Sequence, residues 1–327
     1  MRFRTEISPT ASERPITHKD KLLFLGSCFS DNMGEKMLQH KFDSLSNPFG
    51  VLYNPASILQ HLERLLSGDD LQPDLNMSGE LHFDYRFHGS FSHPSSEKAK
   101  QNMMAADKRA SNQLKEAGFI FITWGTAWVY RLKKSGQIVA NCHKQGASKF
   151  HREKLSPEEI TTAWQRFLSD LFDNFPDKQV VITVSPVRHL KDGFAENQRS
   201  KAALLLAAEH LENSFEQVSY FPSYEIMLDD LRDYRFYADD LTHPSSEAVE
   251  YLWAKFSGVY FNESTQHLNK QLAALHAALN HRLQFPCSSS AQRFAQSQLH
   301  KITELEKQLP GLNFADEKLH FQQFITT

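Results

Sequence analysis

The stretch that decides the fold is residues 21–31, Lys21-Leu-Leu-Phe-Leu-Gly26-Ser27-Cys28-Phe29-Ser30-Asp31. Its apolar run predicts a buried strand, and the glycine that follows predicts a tight turn. Ser27 comes directly after that glycine and before residues that begin helices well. A serine at the carboxyl end of a strand, beside the free N–H groups of a helix start, is the arrangement in which many hydrolases present a nucleophile. We therefore predict that Ser27 is a catalytic nucleophile.

A serine nucleophile needs a histidine to accept its proton, and a suitable one occurs late in the chain. Residues 237–244 contain Asp240 and His243, which are three positions apart. One short loop can therefore present the carboxylate to the imidazole, which fixes the ring tautomer and stabilises its positive charge. The predicted catalytic residues are Ser27, Asp240 and His243, in that order along the chain.

The composition is that of a folded protein with no nucleic-acid partner. The chain has 327 residues, of which 40% are hydrophobic and 23% charged, and its formal charge is −3. This length suits one large α/β domain with additions, or two domains. Because the net charge is slightly negative and no dense Lys/Arg block occurs, we expect no binding to nucleic acid.

The chain also lacks the signals of membranes, disulfides and nucleotides. No window approaches ~18 apolar residues, so we expect no membrane span and a cytoplasmic location. The three cysteines, Cys28, Cys142 and Cys287, are widely spaced and form no CxxC pair, which favours a reducing compartment. No phosphate-binding GxxxxGK loop occurs, and we expect no nucleotide and no organic cofactor.

The pattern of apolar runs predicts a parallel sheet covered by helices. Further strands are predicted at residues 41–47, 118–124, 179–185 and 218–221, with a crossover helix at 197–213. Nearly continuous apolar strands indicate burial on both faces, and helices between them favour a three-layer α/β fold with a mainly parallel sheet. Residues 55–117 are too long for a simple crossover and predict a largely helical insertion with a polar loop at 67–98.

The chain changes character after residue 262. Leucines recur at spacings of three and four from residue 268, and a break at 285–290 separates them from a second apolar stripe. We therefore divide the chain into a domain of residues 1–262 and a helical hairpin of residues 263–327. The hairpin could pack on its own domain, form a homodimer or cover the site as a lid. We favour packing because the stripe is short.

In an open parallel sheet, ligands bind beyond the carboxyl ends of the strands. The residues that directly follow the predicted strands are therefore candidates for a binding site. They include Gly50, Thr126, Arg188 and His189. Arg188 and His189 suit an anionic or hydroxyl-rich substrate, although they could equally anchor a loop.

Several stretches, in this order along the chain, resemble the bacterial GSCFA family. They are Gly26-Ser-Cys-Phe29, Asn47-Pro-Phe-Gly50, Gly125-Thr-Ala-Trp-Val-Tyr130, Asn141-Cys-His-Lys144, Ser185-Pro-Val-Arg-His189 and Asp240-Leu-Thr-His243. This family is in turn similar to the SGNH (GDSL-like) hydrolases. That similarity implies a flavodoxin-like sheet and serine esterase chemistry.

The SGNH pattern also implies roles for individual residues. Ser27 fits its first block, Gly50 its second, and Asp240 with His243 its last. The main-chain N–H groups of Ser27 and Gly50 are then expected to bind the oxyanion.

The third block of that pattern is not matched. It requires an asparagine two residues past a glycine, where this chain has Ala127. Thr126 or Asn141 could supply the missing donor, and His143 joins them as a candidate for substrate binding. Completeness of the oxyanion hole is therefore the weakest element of the predicted site.

The pentapeptide His-Pro-Ser-Ser-Glu occurs twice, at residues 93–97 and 243–247. Both copies look like helix starts, with proline in an early turn and Ser or Glu satisfying free amides. The residue three positions before His93 is Ser90, whereas Asp240 precedes His243 at that distance. We therefore choose His243 as the base, and His93 stays a candidate for contact with the substrate.

Two other interpretations of the site are weaker. Cys28 could be the nucleophile, since helix starts activate thiolates, but a residue in its place usually points into the core. A metal could bind near residues 82–93, yet the spacing of His82, Asp84, His88 and His93 matches no known ligand set. We expect no metal.

The function predicted is that of an SGNH-type serine hydrolase. It would be an esterase or deacylase that removes a small acyl group, such as acetyl, from a glycan or cell-envelope substrate. Three alternatives stay open. The same residues could transfer the acyl group to an acceptor hydroxyl, the domain could bind carbohydrate or protein without turnover, or the leucine hairpin could be the functional surface of a scaffold.

Overall fold

The computed structural model describes residues 4–325. Its strands are β1 (Lys21–Gly26), β2 (Asp43–Ser46), β3 (Asn76–Ser78), β4 (Leu81–Phe83), β5 (Phe119–Trp124), β6 (Trp128–Leu132), β7 (Ile138–Val139), β8 (Phe150–Lys154), β9 (Gln179–Val184) and β10 (Val218–Tyr220). Its helices are α1 (Cys28–Gln39), α2 (Pro55–Ser67), α3 (Ser96–Glu116), α4 (Pro157–Asn174), α5 (Gly193–Ser214), α6 (Ser223–Glu225), α7 (Ser246–Tyr260), α8 (Glu263–Leu279), α9 (Ser289–Gln308) and α10 (Ala315–Gln322).

The central sheet has five parallel strands in the order β10-β9-β5-β1-β2. Counted along the chain, these strands follow the order 2-1-3-4-5, which is the flavodoxin-like order of doubly wound sheets. The five strands predicted from the sequence are all present, with ends within two residues of the predicted ones. The predicted α/β fold with a mainly parallel sheet is confirmed.

Both faces of the sheet are buried, and alternate residues of β1 show how. Leu23 and Leu25 belong to a core shared with α2, α3, α4 and α5. Leu22 and Phe24 face the other side, where they pack with α1 and α7. Side chains of a strand alternate between the two faces, so an apolar run such as this one is buried only when helices cover both. The result is three layers.

The insertion of residues 55–117 contains the helices α2 and α3 and is thus largely helical, as predicted. Its polar loop also contains the short hairpin of β3 and β4. A second sheet that the sequence analysis missed is formed by β7, β6 and β8, all antiparallel. These strands are short and mostly half-buried, so they lack the long apolar runs from which the central strands were predicted.

Residues 263–325 form three helices instead of the predicted two. The third, α10, was missed because Phe321 is its only fully buried residue and it has no apolar stripe. The region packs near the end of α1, where Lys41 forms an ion pair with Glu317 (2.6 Å) and lies 4.7 Å from the Phe314 ring centre. Within residues 4–325, no helix combines the length and the apolar character that a bilayer span requires.

Candidate active site

Ser27 lies at the turn between β1 and α1. It is the N-cap of α1, where its Oγ accepts a hydrogen bond from the N–H of Phe29 (3.3 Å). Gly26 has a φ of +135°, and a Cβ at this position would lie 2.1 Å from the carbonyl oxygen of Thr123. Only glycine fits so close to the neighbouring strand β5. The strand, tight turn and helix start predicted around Ser27 are all present.

Asn47 fixes this turn from the next strand along the chain. Its Oδ1 accepts the N–H of Gly26 at 2.8 Å, and its Nδ2 donates to Asp31 Oδ1 at 2.7 Å and to the Ser27 carbonyl oxygen at 3.4 Å. Asn47 has a φ of +40°, which asparagine tolerates better than most residues. Burial raises the pKa of Asp31, and the Asn47 amide opposes that rise. The sequence analysis assigned no role to Asn47 or Asp31.

Asp240 and His243 are in direct contact. Asp240 Oδ2 lies 2.5 Å from His243 Nδ1, and both side chains are half exposed. Asp240 Oδ1 accepts the main-chain N–H groups of Thr242 and His243, each at 2.9 Å. These hydrogen bonds hold the pKa of Asp240 well below its usual range. The carboxylate is therefore ionised and placed to orient the imidazole.

His243 and Ser27 are not joined by a hydrogen bond among the residues that the structure describes. Ser27 Oγ is bonded to Phe29, and the His243 ring to Asp240 and Thr242. Hydrogen bonds between a nucleophile and its base are often long until substrate is bound. Of the three predicted catalytic residues, Asp240 and His243 are thus in contact in the structure, and Ser27 is not bonded to either.

His189 follows β9 and lies close to the end of β5. Its ring packs edge-on against Tyr53, with 5.3 Å between ring centres. Its Nε2 lies 3.2 Å from the position that a Cβ on Gly125 would occupy. Burial, together with the nearby Lys201 and His243, lowers the pKa of His189 to about 4. The ring is therefore neutral and belongs to the same edge of the sheet as Ser27.

Arg188 precedes His189 and faces two tyrosines. Burial raises the pKa values of Tyr224 and Tyr237, whereas the nearby Arg188 guanidinium lowers both. Arg188 has no carboxylate within 4.0 Å among residues 4–325, so it is a cation without an acidic partner there.

Lys201 is a buried cationic residue that the sequence analysis missed. It is 0% exposed, and its Nζ donates to the carbonyl oxygens of Gly125 and Ser185, each at 2.7 Å. These carbonyls follow β5 and β9, so the lysine ties together the ends of two central strands. Burial and the nearby Arg188 lower the pKa of Lys201 to about 7, although Cys28 opposes the change. Its setting among Ala and Leu residues of α5 suggested only a crossover helix.

Both main-chain N–H groups expected in the oxyanion hole already have partners. The N–H of Ser27 donates to the carbonyl oxygen of Thr123 (3.1 Å), and that of Gly50 to the carbonyl oxygen of Asn47 (2.8 Å). Gly50 has a φ of +77°, and a Cβ there would lie 2.3 Å from His88 Cβ. Gly50 is thus required for the turn.

The N–H and hydroxyl groups of Thr126 also have hydrogen-bond partners within the protein. Its N–H donates to the Tyr53 carbonyl oxygen at 2.9 Å. Its Oγ1 lies 3.0 Å from Ser200 Oγ and accepts the N–H of Trp128 at 3.1 Å. The hydroxyl therefore stabilises the start of β6.

Asn141 and His143 support the insertion. Asn141 Oδ1 accepts the N–H of His143 at 2.7 Å. The His143 ring is buried and stacks on Phe83 with 4.1 Å between centres, and its Nε2 lies 3.1 Å from the carbonyl oxygens of Asp84 and Phe87. Burial lowers the pKa of His143. Both side chains are held by local contacts in this structure.

Cys28 is half-buried at the first position of α1. Burial raises the pKa of its thiol, and the nearby Asp31 raises it further. A thiol that stays protonated is a poor nucleophile. These observations favour Ser27 over Cys28.

The two His-Pro-Ser-Ser-Glu segments both start helices, as predicted. Ser95 caps α3 and Ser245 caps α7, and each proline lies one residue before the cap, outside the first helical turn. The two histidines differ. The Nδ1 of His93 accepts the N–H of Ser95 at 2.9 Å, whereas the Nδ1 of His243 faces Asp240.

The histidines of residues 82–93 are held by the backbone. His82 and His93 pair through two main-chain hydrogen bonds of 2.9 and 3.0 Å. In the part of the chain that the structure describes, no three His, Cys, Asp or Glu side chains form a group that could hold a metal ion.

Two family models match the chain. The GSCFA family matches residues 21–256, and the GSCFA domain protein, C-terminal domain, matches residues 272–327. The curated proteins include no match to this chain. The first match covers well over half of the sequence and includes Ser27, Asp240 and His243. The chain therefore belongs to the GSCFA family.

Proposed function

We propose that this protein is an SGNH-type serine hydrolase that removes a small acyl group from an ester of a glycan or cell-envelope compound. The contact between Asp240 and His243 carries this proposal. The Asp240–His243 pair lies near His189, which follows β9, and Ser27 follows β1. Both positions are at the carboxyl ends of the parallel strands, where ligands of such sheets bind. The flavodoxin-like strand order and the resemblance of the Ser27 and Asp240 motifs to SGNH hydrolases give further support.

The reaction would proceed in two steps. Ser27 Oγ attacks the acyl carbonyl while His243 takes the hydroxyl proton at Nε2, because its Nδ1 faces Asp240. Collapse of the tetrahedral intermediate expels the alcohol, which takes the proton from His243. A water molecule then releases the acyl group from Ser27 by the same route. An acceptor hydroxyl in place of water would give acyl transfer.

The buried position of Ser27, which is 1% exposed, favours a small acyl group. Arg188, which has no carboxylate partner among residues 4–325, favours an acidic or hydroxyl-rich compound on the alcohol side.

Fluorophosphonate labelling, measured by intact mass, tests the proposal together with hydrolysis of p-nitrophenyl acetate. The wild type should gain one adduct, and Ser27→Ala and His243→Ala should gain none. His93→Ala is the matched control, because His93 has the same four following residues but no carboxylate partner. A Ser27→Ala variant that hydrolyses the ester as fast as the wild type would refute the proposal.

A second candidate is a module that binds carbohydrate or protein without turnover. It is favoured by the occupied N–H groups of Ser27 and Gly50 and by Ala127 at the position expected for asparagine. A folded wild type that gains no adduct and hydrolyses no ester would support this candidate.

A further inference from the structure

One buried nitrogen at the strand ends has no hydrogen-bond partner. His189 Nε2 is enclosed by protein, and none of residues 4–325 offers it a donor or acceptor. Leaving a buried polar group unpaired is unfavourable, so such groups usually have a function or a ligand. His189 therefore requires an explanation that the fold does not supply.

The position of His189 connects it to the nucleophile. Its Nε2 faces the end of β5 at Gly125, and β5 is the strand that neighbours β1 in the sheet. Its ring packs on Tyr53, whose pKa is raised by burial and then by the nearby Cys28 and Asp31 of α1. Tyr53 is thus a neighbour of both His189 and the first turn of α1.

Four main-chain N–H groups at this edge are already bound to the protein. The N–H groups of Gly125 and Thr126 both donate to the Tyr53 carbonyl oxygen, at 2.8 and 2.9 Å. The N–H groups of Ser27 and Gly50 donate to carbonyl oxygens as described above. A tetrahedral oxyanion formed at Ser27 would need a donor that is not already bonded to the protein.

The geometry points to His189 as that donor, with its Nε2–H bonded to the acyl carbonyl oxygen as negative charge develops there. This inference rests on the proposed function. It assigns the two neighbouring histidines different tasks. His243, bonded to Asp240, moves the proton, whereas His189 stays neutral and donates a hydrogen bond.

The surroundings of His189 suit this task. Lys201, buried beneath Gly125, and His243 both oppose a positive charge on the ring. No carboxylate lies within hydrogen-bond distance of Nε2 in the described part of the chain. With a pKa of about 4, the His189 imidazole is a weak base, and its N–H can still stabilise an oxyanion.

The test compares His189→Leu, which has no donor, with His189→Gln, which keeps an N–H. We expect the Leu variant to lose about 100-fold or more in kcat for p-nitrophenyl acetate with KM changed less than threefold. The Gln variant should retain at least ten times the kcat of the Leu variant. His210→Leu, an exposed position on α5, is the matched control and should behave as the wild type.

A second measurement does not depend on turnover. Imidazole ¹⁵N chemical shifts of the wild type should show His189 as the neutral Nε2–H tautomer at pH 6–8. An Nδ1–H tautomer, or a Leu variant with kcat within threefold of the wild type, would overturn the role of His189 and leave the proposed function intact. A wild type without adduct or turnover would overturn both.

Discussion

The side chains of Asn47 and Asp31 meet beneath the nucleophile, with 2.7 Å between Asn47 Nδ2 and Asp31 Oδ1. The same amide accepts the N–H of Gly26 at 2.8 Å. One residue after β2 therefore holds both the turn before Ser27 and the first turn of α1. Rigid support of this kind keeps a nucleophile in its working geometry.

Asn47→Gly and Asn47→Ala should both destabilise the protein, by different amounts. Both leave the buried N–H of Gly26 unpaired, which lowers the free energy of unfolding by about 1–3 kcal/mol. The free energy of unfolding of the Ala variant should be about 1 kcal/mol lower than that of the Gly variant. Residue 47 has a φ of +40°, which glycine adopts without strain and alanine does not. Urea unfolding measures both. Equal losses would show that the backbone at residue 47 relaxes.

Gly50 and Gly68 offer a matched pair for the turn that follows. Their φ values are +77° and +76°, but a Cβ on Gly50 would meet His88 Cβ at 2.3 Å, whereas one on Gly68 meets nothing within 4 Å. Gly68→Ala should cost about 1 kcal/mol, as expected for backbone strain alone. Gly50→Ala should cost about 1–3 kcal/mol more, because His88 has to move. Similar losses of unfolding free energy in the two variants would contradict this expectation.

Asp240→Asn tests the orientation of His243. The amide cannot stabilise an imidazolium, so the kcat of ester hydrolysis should fall about 10³-fold while the fold is kept. Asp239→Asn is the control, because Asp239 is the adjacent acid and His243 bonds to Asp240 instead. Because the pKa of Asp240 lies well below its usual range, the wild-type pair should stay intact down to pH about 5. Equal rates for the two variants would refute the orienting role.

Lys201→Met should change how stability depends on pH. The pKa of Lys201 is lowered to about 7 in the folded protein, so between about pH 7 and 10 the unfolded chain binds more protons. The free energy of unfolding of the wild type should therefore rise with pH relative to the Met variant, by at most about 5 kcal/mol over that range. Denaturant titrations at pH 7, 8 and 9 measure the difference.

Lys201→Met needs a control for general effects of alkaline pH. Lys191→Met removes an exposed lysine ten residues earlier in the chain, whose Nζ donates to the Tyr130 hydroxyl. Its stability difference from the wild type should stay nearly constant over the same pH range. A constant difference for Lys201→Met as well would mean that Lys201 stays charged when folded.

The sequence predicted those parts of the molecule that local patterns encode. The central strands β1, β5 and β9 are apolar runs that end at turn residues, and Asp240 and His243 are close enough in sequence for one loop to join them. Lys201 could not be found in this way, because its partner Gly125 is 76 positions away and only the folded sheet brings them together. The hydrogen-bond partners of the Ser27 and Gly50 N–H groups could not be predicted either, because they depend on the folded geometry of the turns.

The two copies of His-Pro-Ser-Ser-Glu show that the same short peptide can have the same local structure and different chemistry. In both places a serine of the pentapeptide caps the start of a helix, so the five residues specify a helix start. Whether the histidine in front of them can serve as a base depends on a residue outside the pentapeptide, Asp240 in one copy and Ser90 in the other. Searches for active sites in related chains should therefore weigh the position three residues upstream above the repeat itself.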